Sequence, residues 1–120
     1  MEGLVLGIES TAHTFSFGLV TLDGKLLPSS SSLFRPEKGG IHPREAADHH
    51  SESTRDLLTK LSKKPTFDWD SIVAIAFSQG PGLGPCLRVG ASVARTLSTM
   101  LEVPLLGAVS YTHLTLPTKA

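Results

Sequence analysis

A single cysteine, Cys86, leaves the chain no partner for an internal disulfide and no cysteine set for a zinc site. That fits a reducing compartment. No sign of charge is in excess either, since eleven basic side chains balance eleven acidic ones. Such a surface has no global preference for nucleic acid, whose phosphates demand a basic face. Any RNA contact must therefore be local, or lie on other sequence or on partner proteins. Long apolar runs are missing as well, and none approaches the length of a membrane span. Met1–Gly7 has neither the basic segment nor the apolar stretch of a signal peptide. Together these absences lead us to expect a cytoplasmic, non-membrane protein. What is present, 40% hydrophobic and 18% charged residues, is ordinary for a soluble globular chain. At 120 residues it holds one small domain, not a large two-domain enzyme.

The patterning reads as strands first and helices later. Leu4 to Ile8 is a short apolar run ending in Glu9, a buried strand. Phe15 to Leu22 mixes aromatic and β-branched residues and ends at Asp23-Gly24, a hairpin signal. Lys25 to Phe34 returns as a third strand made irregular by Ser29–Ser32, so an antiparallel meander is expected. Pro43 suits a first helical position, where its missing N–H costs nothing, and Glu45 complements the helix dipole. Ala46, Ala47, His50, Thr54, Leu57, Leu58 and Leu61 recur at helical steps, and Lys63-Lys64-Pro65 ends the helix. Ile72 to Phe77 is a continuous apolar strand covered on both faces. Ser78–Pro85 is a glycine-rich turn into a second helix, with an expected stripe of Leu87, Ala91, Ala94, Leu97 and Leu101. Pro104–Gly107 opens a fifth strand. The order β-β-β-α-β-α-β is that of an α/β ribonuclease-H-like half-domain, a mixed sheet with helices packed on it.

Three constellations could carry chemistry. Gly7–Thr14 places Ser10, Thr11 and His13 between two strands, where N–H groups and hydroxyls can meet a phosphate; an ordinary polar hairpin has the same look. Gly80, Gly82 and Gly84 let backbone approach a ligand, and the following helix offers unpaired N–H groups. This is neither a Walker loop nor GxGxxG, and a tight turn without ligand would serve equally. His42, His49 and His50 gather near Glu45, with Glu45 and His49 four apart on one helix face. Two ligands make a weak metal site, and a solvated Glu45–His49 pair beside a packed or capping His50 is the plainer expectation. Cys86 near a helix start is more simply a small buried residue than an activated thiol. No protease constellation is present.

At these motifs the chain resembles a known family. GIESTAHT (Gly7–Thr14), KGGIHPREAADHH (Lys38–His50) and AFSQGPGLGPCLRVG (Ala76–Gly90) are similar to the tRNA threonylcarbamoyladenosine transferases, in the wording of the archaeal, KEOPS-complex branch. The resemblance runs from Met1 to about Gly107. It implies an actin-like ATPase fold (the sugar-kinase/Hsp70 type) of two duplicated halves, of which residues 1–107 are the amino-terminal part of the first. It further implies transfer of threonylcarbamoyl from its adenylate to the N6 of the adenosine beside the tRNA anticodon. Adenine nucleotide, one iron or zinc ion, tRNA, a protein kinase and small dimerising KEOPS subunits are the implied cofactors and partners. As implied cleft residues we take Ser10, Thr11, His13, Gly80, Gly82 and Gly84, with no catalytic residue assigned. The family's metal-binding Asn-His-x-x-x-His pair is expected just after Gly107, but the chain reads Ala108–Leu114 there, and His113 has no partner four residues away. The fragment is therefore expected to bind no metal or nucleotide by itself and to be inactive alone.

Val109–Thr118 back-translates into a string resembling a transposon-end sequencing adapter, so residues 108–120 are read as a non-native tail. Without the rest of a two-lobed molecule, a marginal fragment with an exposed sheet edge is expected. A different class of reading makes the chain a partner-binding module, docking through the Pro43–Leu61 and Pro85–Leu101 helices without chemistry. Another actin-like phosphotransferase, such as a sugar kinase, fits the fold but not the histidine-rich motif.

Overall fold

The computed structural model describes residues 3–11, 14–34 and 42–109. Leu4, Leu6 and Ile8 are buried while Val5, Gly7 and Glu9 are half-buried, and this period of two makes β1 (Leu4–Glu9) a strand with one sealed face. β2 (Thr14–Thr21) alternates likewise, burying Phe15, Phe17 and Leu19, and runs antiparallel to β1. The Asp-Gly signal is used as expected: Gly24 takes φ 94°, and its N–H donates to the Thr21 carbonyl at 2.9 Å. β3 (Leu26–Leu33) then returns antiparallel, with a register shift opposite Phe17–Leu19. Ser30 is buried within it because its hydroxyl donates to the Leu57 carbonyl at 2.7 Å.

α1 (Pro43–Ser62) starts at the expected proline and ends on Lys63, with Ala46, His50, Leu57 and Leu61 buried. A 3-10 turn, Trp69–Ser71, capped by Asp68, leads into β4 (Ile72–Gly80). α2 (Gly84–Leu101) ends on Glu102 in the left-handed conformation, and β5 (Leu105–Val109) closes the described chain. The sheet order is β3-β2-β1-β4-β5, antiparallel across the first three and parallel for β1–β4 and β4–β5. The element order read from the sequence is therefore observed, with the 3-10 turn added.

Both helices contribute to one core, where Leu57, Leu61, Ala94 and Leu97 meet Leu4, Leu6, Phe15, Phe17 and Ile75. The opposite sheet face is an open trough of about 470 Å³, lined by Val5, Gly7, Gly18, Val20, Ala76 and Ala108 among others. Among the described residues β4 is thus covered by helices on one side only, where the sequence pattern led us to expect cover on both. Two further expectations are corrected. β4 runs on through Ser78 and Gln79 to Gly80, because pairing with β1 and β5 continues past the apolar run. The buried stripe of α2 begins at Cys86 and Gly90, not Leu87 and Ala91, since small residues let the helix come close to the end of β1. The fifth strand opened at Pro104–Gly107 is observed as β5, from Leu105 to Val109. Residues 110–120 lie outside the described residues. No described helix is long and apolar enough to cross a membrane.

Candidate functional site

The carboxyl ends of the parallel strands β1 and β4 lie side by side, the place where open α/β sheets bind ligands. The loop after β1 and the glycine loop after β4 meet there and lock together. The Leu83 N–H donates to the Thr11 carbonyl at 2.7 Å. Gly82 lies so close to Thr11 that a Cβ on it would fall 2.8 Å from Thr11 Cβ and 2.9 Å from Thr11 Cα, nearer still to the carbonyl oxygen. The lack of a side chain at Gly82 is thus required by the neighbouring loop. Gly80 is glycine for another reason, its φ of 141° before a cis peptide to Pro81. Gly84 needs neither excuse, for a Cβ there would meet only the Arg88 guanidinium at 3.9 Å.

Ser10 and Thr11 play different parts. The N–H and hydroxyl of Thr11 both donate to the Glu9 carboxylate, the first at 2.9 Å, which holds the bend after β1 in shape. Ser10 is fully buried, its N–H donates to the Ser78 hydroxyl at 3.3 Å, and its own hydroxyl has no partner among the described residues. Leaving a buried hydroxyl unpaired costs about 1–3 kcal/mol. His13 lies outside the described residues. α2 begins at this rim, and the first N–H to close an intrahelical bond is that of Leu87, to Leu83 at 2.9 Å. The N–H groups of Gly84 and Cys86 precede it, so the positive end of the helix dipole faces the rim. Cys86 itself is buried, and burial pushes its thiol up from the ordinary value, as a packing residue requires.

The histidine group is elsewhere, between α1 and β3. His49 Nε2 lies 2.8 Å from the Ser32 hydroxyl, and its Nδ1 lies 2.9 Å from His50 Nδ1. His50 is fully buried and stacks on Phe15 with ring centroids 5.3 Å apart. Both nitrogens of His49 are therefore committed, and the expected Glu45–His49 pair is replaced by this chain. Among the described residues no group of three or more histidine, cysteine or acidic side chains could hold a metal. The stretch after Gly107, where the resemblance implies the metal-binding pair, lies largely outside the described residues, and the described ones offer no set to hold iron or zinc.

Burial pulls the His49 imidazole below its ordinary value, with Glu52 opposing. A base with a lowered native pKa is neutral in both states above about pH 6.5, and the unfolded chain protonates first below it. Stability contributed by the neutral form is thus whole above that value and falls as pH drops through it. The Nδ1–Nδ1 contact points the same way, since it needs one bare nitrogen. Thermal unfolding followed from pH 8 to pH 5 should show a falling midpoint, and His49→Gln should flatten part of the fall. Parallel profiles for the two chains would refute the assignment.

A profile of the tRNA N6-adenosine threonylcarbamoyltransferase family matches residues 28–119. Proteins of that name from Methanopyrus kandleri and Pyrobaculum aerophilum are 50% and 53% identical over 103 residues, 85% of this chain and 30% of each relative. A probable bifunctional tRNA threonylcarbamoyladenosine biosynthesis protein of Methanocaldococcus jannaschii is 49% identical over 104 residues, 87% of this chain and 19% of that relative. The chain thus spans less than a third of the length of these relatives. Among solved structures, YeaZ from Pseudomonas aeruginosa matches with a TM-score of 0.67 at 19% identity, over 89% of this chain and 45% of that one. Thermus thermophilus RuvC matches at 0.53 and 13%, over 90% and 65%. These two likenesses speak to the fold alone, which is of the ribonuclease-H-like, actin-like kind.

Proposed function

Since the chain belongs to the tRNA N6-adenosine threonylcarbamoyltransferase family, we propose that it is the amino-terminal part of an enzyme moving threonylcarbamoyl from its adenylate to the N6 of adenosine beside the tRNA anticodon. The observation that carries this reading is the locked rim: two of the three family-like motifs are joined by the Leu83–Thr11 hydrogen bond and the Gly82 contact. In this reading the rim faces the phosphate side of the adenylate. The amino end of α2 and the glycine-loop backbone attract the anion, while Glu9 fixes Thr11 and Ser10 supports the bend from below. The acyl transfer needs groups carried on the remaining part of the protein, so the 120-residue chain alone is inactive. Adenine nucleotide, iron or zinc, tRNA and KEOPS subunits belong to the proposed whole protein, in the cytoplasm.

A second reading, a partner-docking module, is supported by one feature. Ser51 of α1 and Pro85, Arg88, Val89, Ser92 and Val93 of α2 line a shallow recess of about 380 Å³. One chimera tests both readings: residues 1–107 joined to the remaining part of the Methanopyrus kandleri relative, assayed for threonylcarbamoyladenosine in tRNA. Modification at a rate within about tenfold of that relative is expected, about 1.4 kcal/mol of barrier. A folded chimera that captures KEOPS subunits yet modifies no tRNA would sink the catalytic reading and leave the docking one.

A further inference from the structure

We propose that Gly90, inside α2, is a positioning residue for the rim: its bare Cα sets how deep Ser10 sits, and Ser10 sets the height at which Thr11 meets the glycine loop. Glycine disfavours the interior of a helix, so its place there calls for a packing reason. The reason is visible. A Cβ at Gly90 would fall 3.1 Å from Ser10 Cβ, closer still to its hydroxyl, and 3.9 Å from Ile8 Cγ2. Ser10 has nowhere to retreat. It is fully buried, tied to β4 by its N–H bond to Ser78, and followed by Thr11, whose carbonyl is held by Leu83. Its hydroxyl lacks a partner among the described residues, so it is placed by close packing against α2 and not by a hydrogen bond of its own. A methyl group on α2 would therefore push Ser10 outward, and the displacement would pass along one peptide to Thr11 and the Leu83 bond.

This inference rests on the rim being part of the substrate cleft, and its test separates the two. In the chimera, measured where circular dichroism shows every variant folded, Gly90→Ala should lower tRNA modification at least tenfold. Gly90→Ala with Ser10→Gly, which removes both clashing atoms, should recover at least fivefold over Gly90→Ala. A merely structural role would lower the melting temperature and leave the folded enzyme at its parental rate. That outcome, or a double variant no better than the single one, overturns the proposal. Should the parent chimera itself be inactive, the cleft reading fails and hydrogen exchange decides the positioning. The Leu83 amide should exchange at least tenfold faster in Gly90→Ala and recover in the double variant; equal exchange in all three chains overturns it.

Discussion

Gly82→Val in the chimera should cost about 100-fold or more in tRNA modification, the scale on which a misplacement of about 1 Å lowers a rate. The valine Cβ would have to share space with Thr11 backbone and Cβ at less than 3 Å, and backbone cannot swing aside as a long side chain can. One of the two loops must move, and the 2.7 Å Leu83–Thr11 bond is the first link to break. The comparison that makes the result specific is Gly84→Ala, whose Cβ meets nothing nearer than 3.9 Å and whose loss should be at least tenfold smaller. Equal losses at Gly82 and Gly84 would mean that both glycines serve a ligand directly and that the loop lock is incidental. Unchanged activity in Gly82→Val would remove the rim from the site altogether.

The second large effect concerns the fold. Phe15 is fully buried, edge-on to Phe17 at 5.3 Å and stacked on His50 at 5.3 Å, so it joins β2 to α1. Truncation of such a ring to alanine costs about 3–5 kcal/mol through lost burial and a residual cavity. Natural domains have only about 5–15 kcal/mol to lose, and a small one whose described residues leave a sheet face open is expected at the low end. Phe15→Ala should therefore leave the 120-residue chain without the cooperative thermal transition of its parent, followed by circular dichroism. A transition within about 1 kcal/mol of the parent would show that the Phe15 contacts are replaceable.

The element order, the helix start at Pro43 and the Asp-Gly turn were legible because each follows from a local rule: alternation, a missing N–H, a glycine at positive φ. The family motifs were legible for the same reason, as unbroken runs of residues. What local rules could not supply was which neighbour each residue meets. Nothing within Gly80–Gly84 says that Gly82 is glycine because of Thr11, some seventy positions earlier, or that Gly84 has room to spare. A closer signal existed at Gly90, since a glycine inside an otherwise good helix asks for a contact, but its partner Ser10 appears only when β1 and α2 are packed. The same holds for His49, where spacing favoured Glu45 four residues away on the same helix. Tertiary packing put Ser32 of β3 and the neighbouring His50 within hydrogen-bond reach instead. Sequence alone thus determined the order of strands and long helices, the Asp-Gly turn and the family. Packing across the parallel β1–β4 pair decided which small residues form the rim, because a missing Cβ has meaning only against the atoms that take its place.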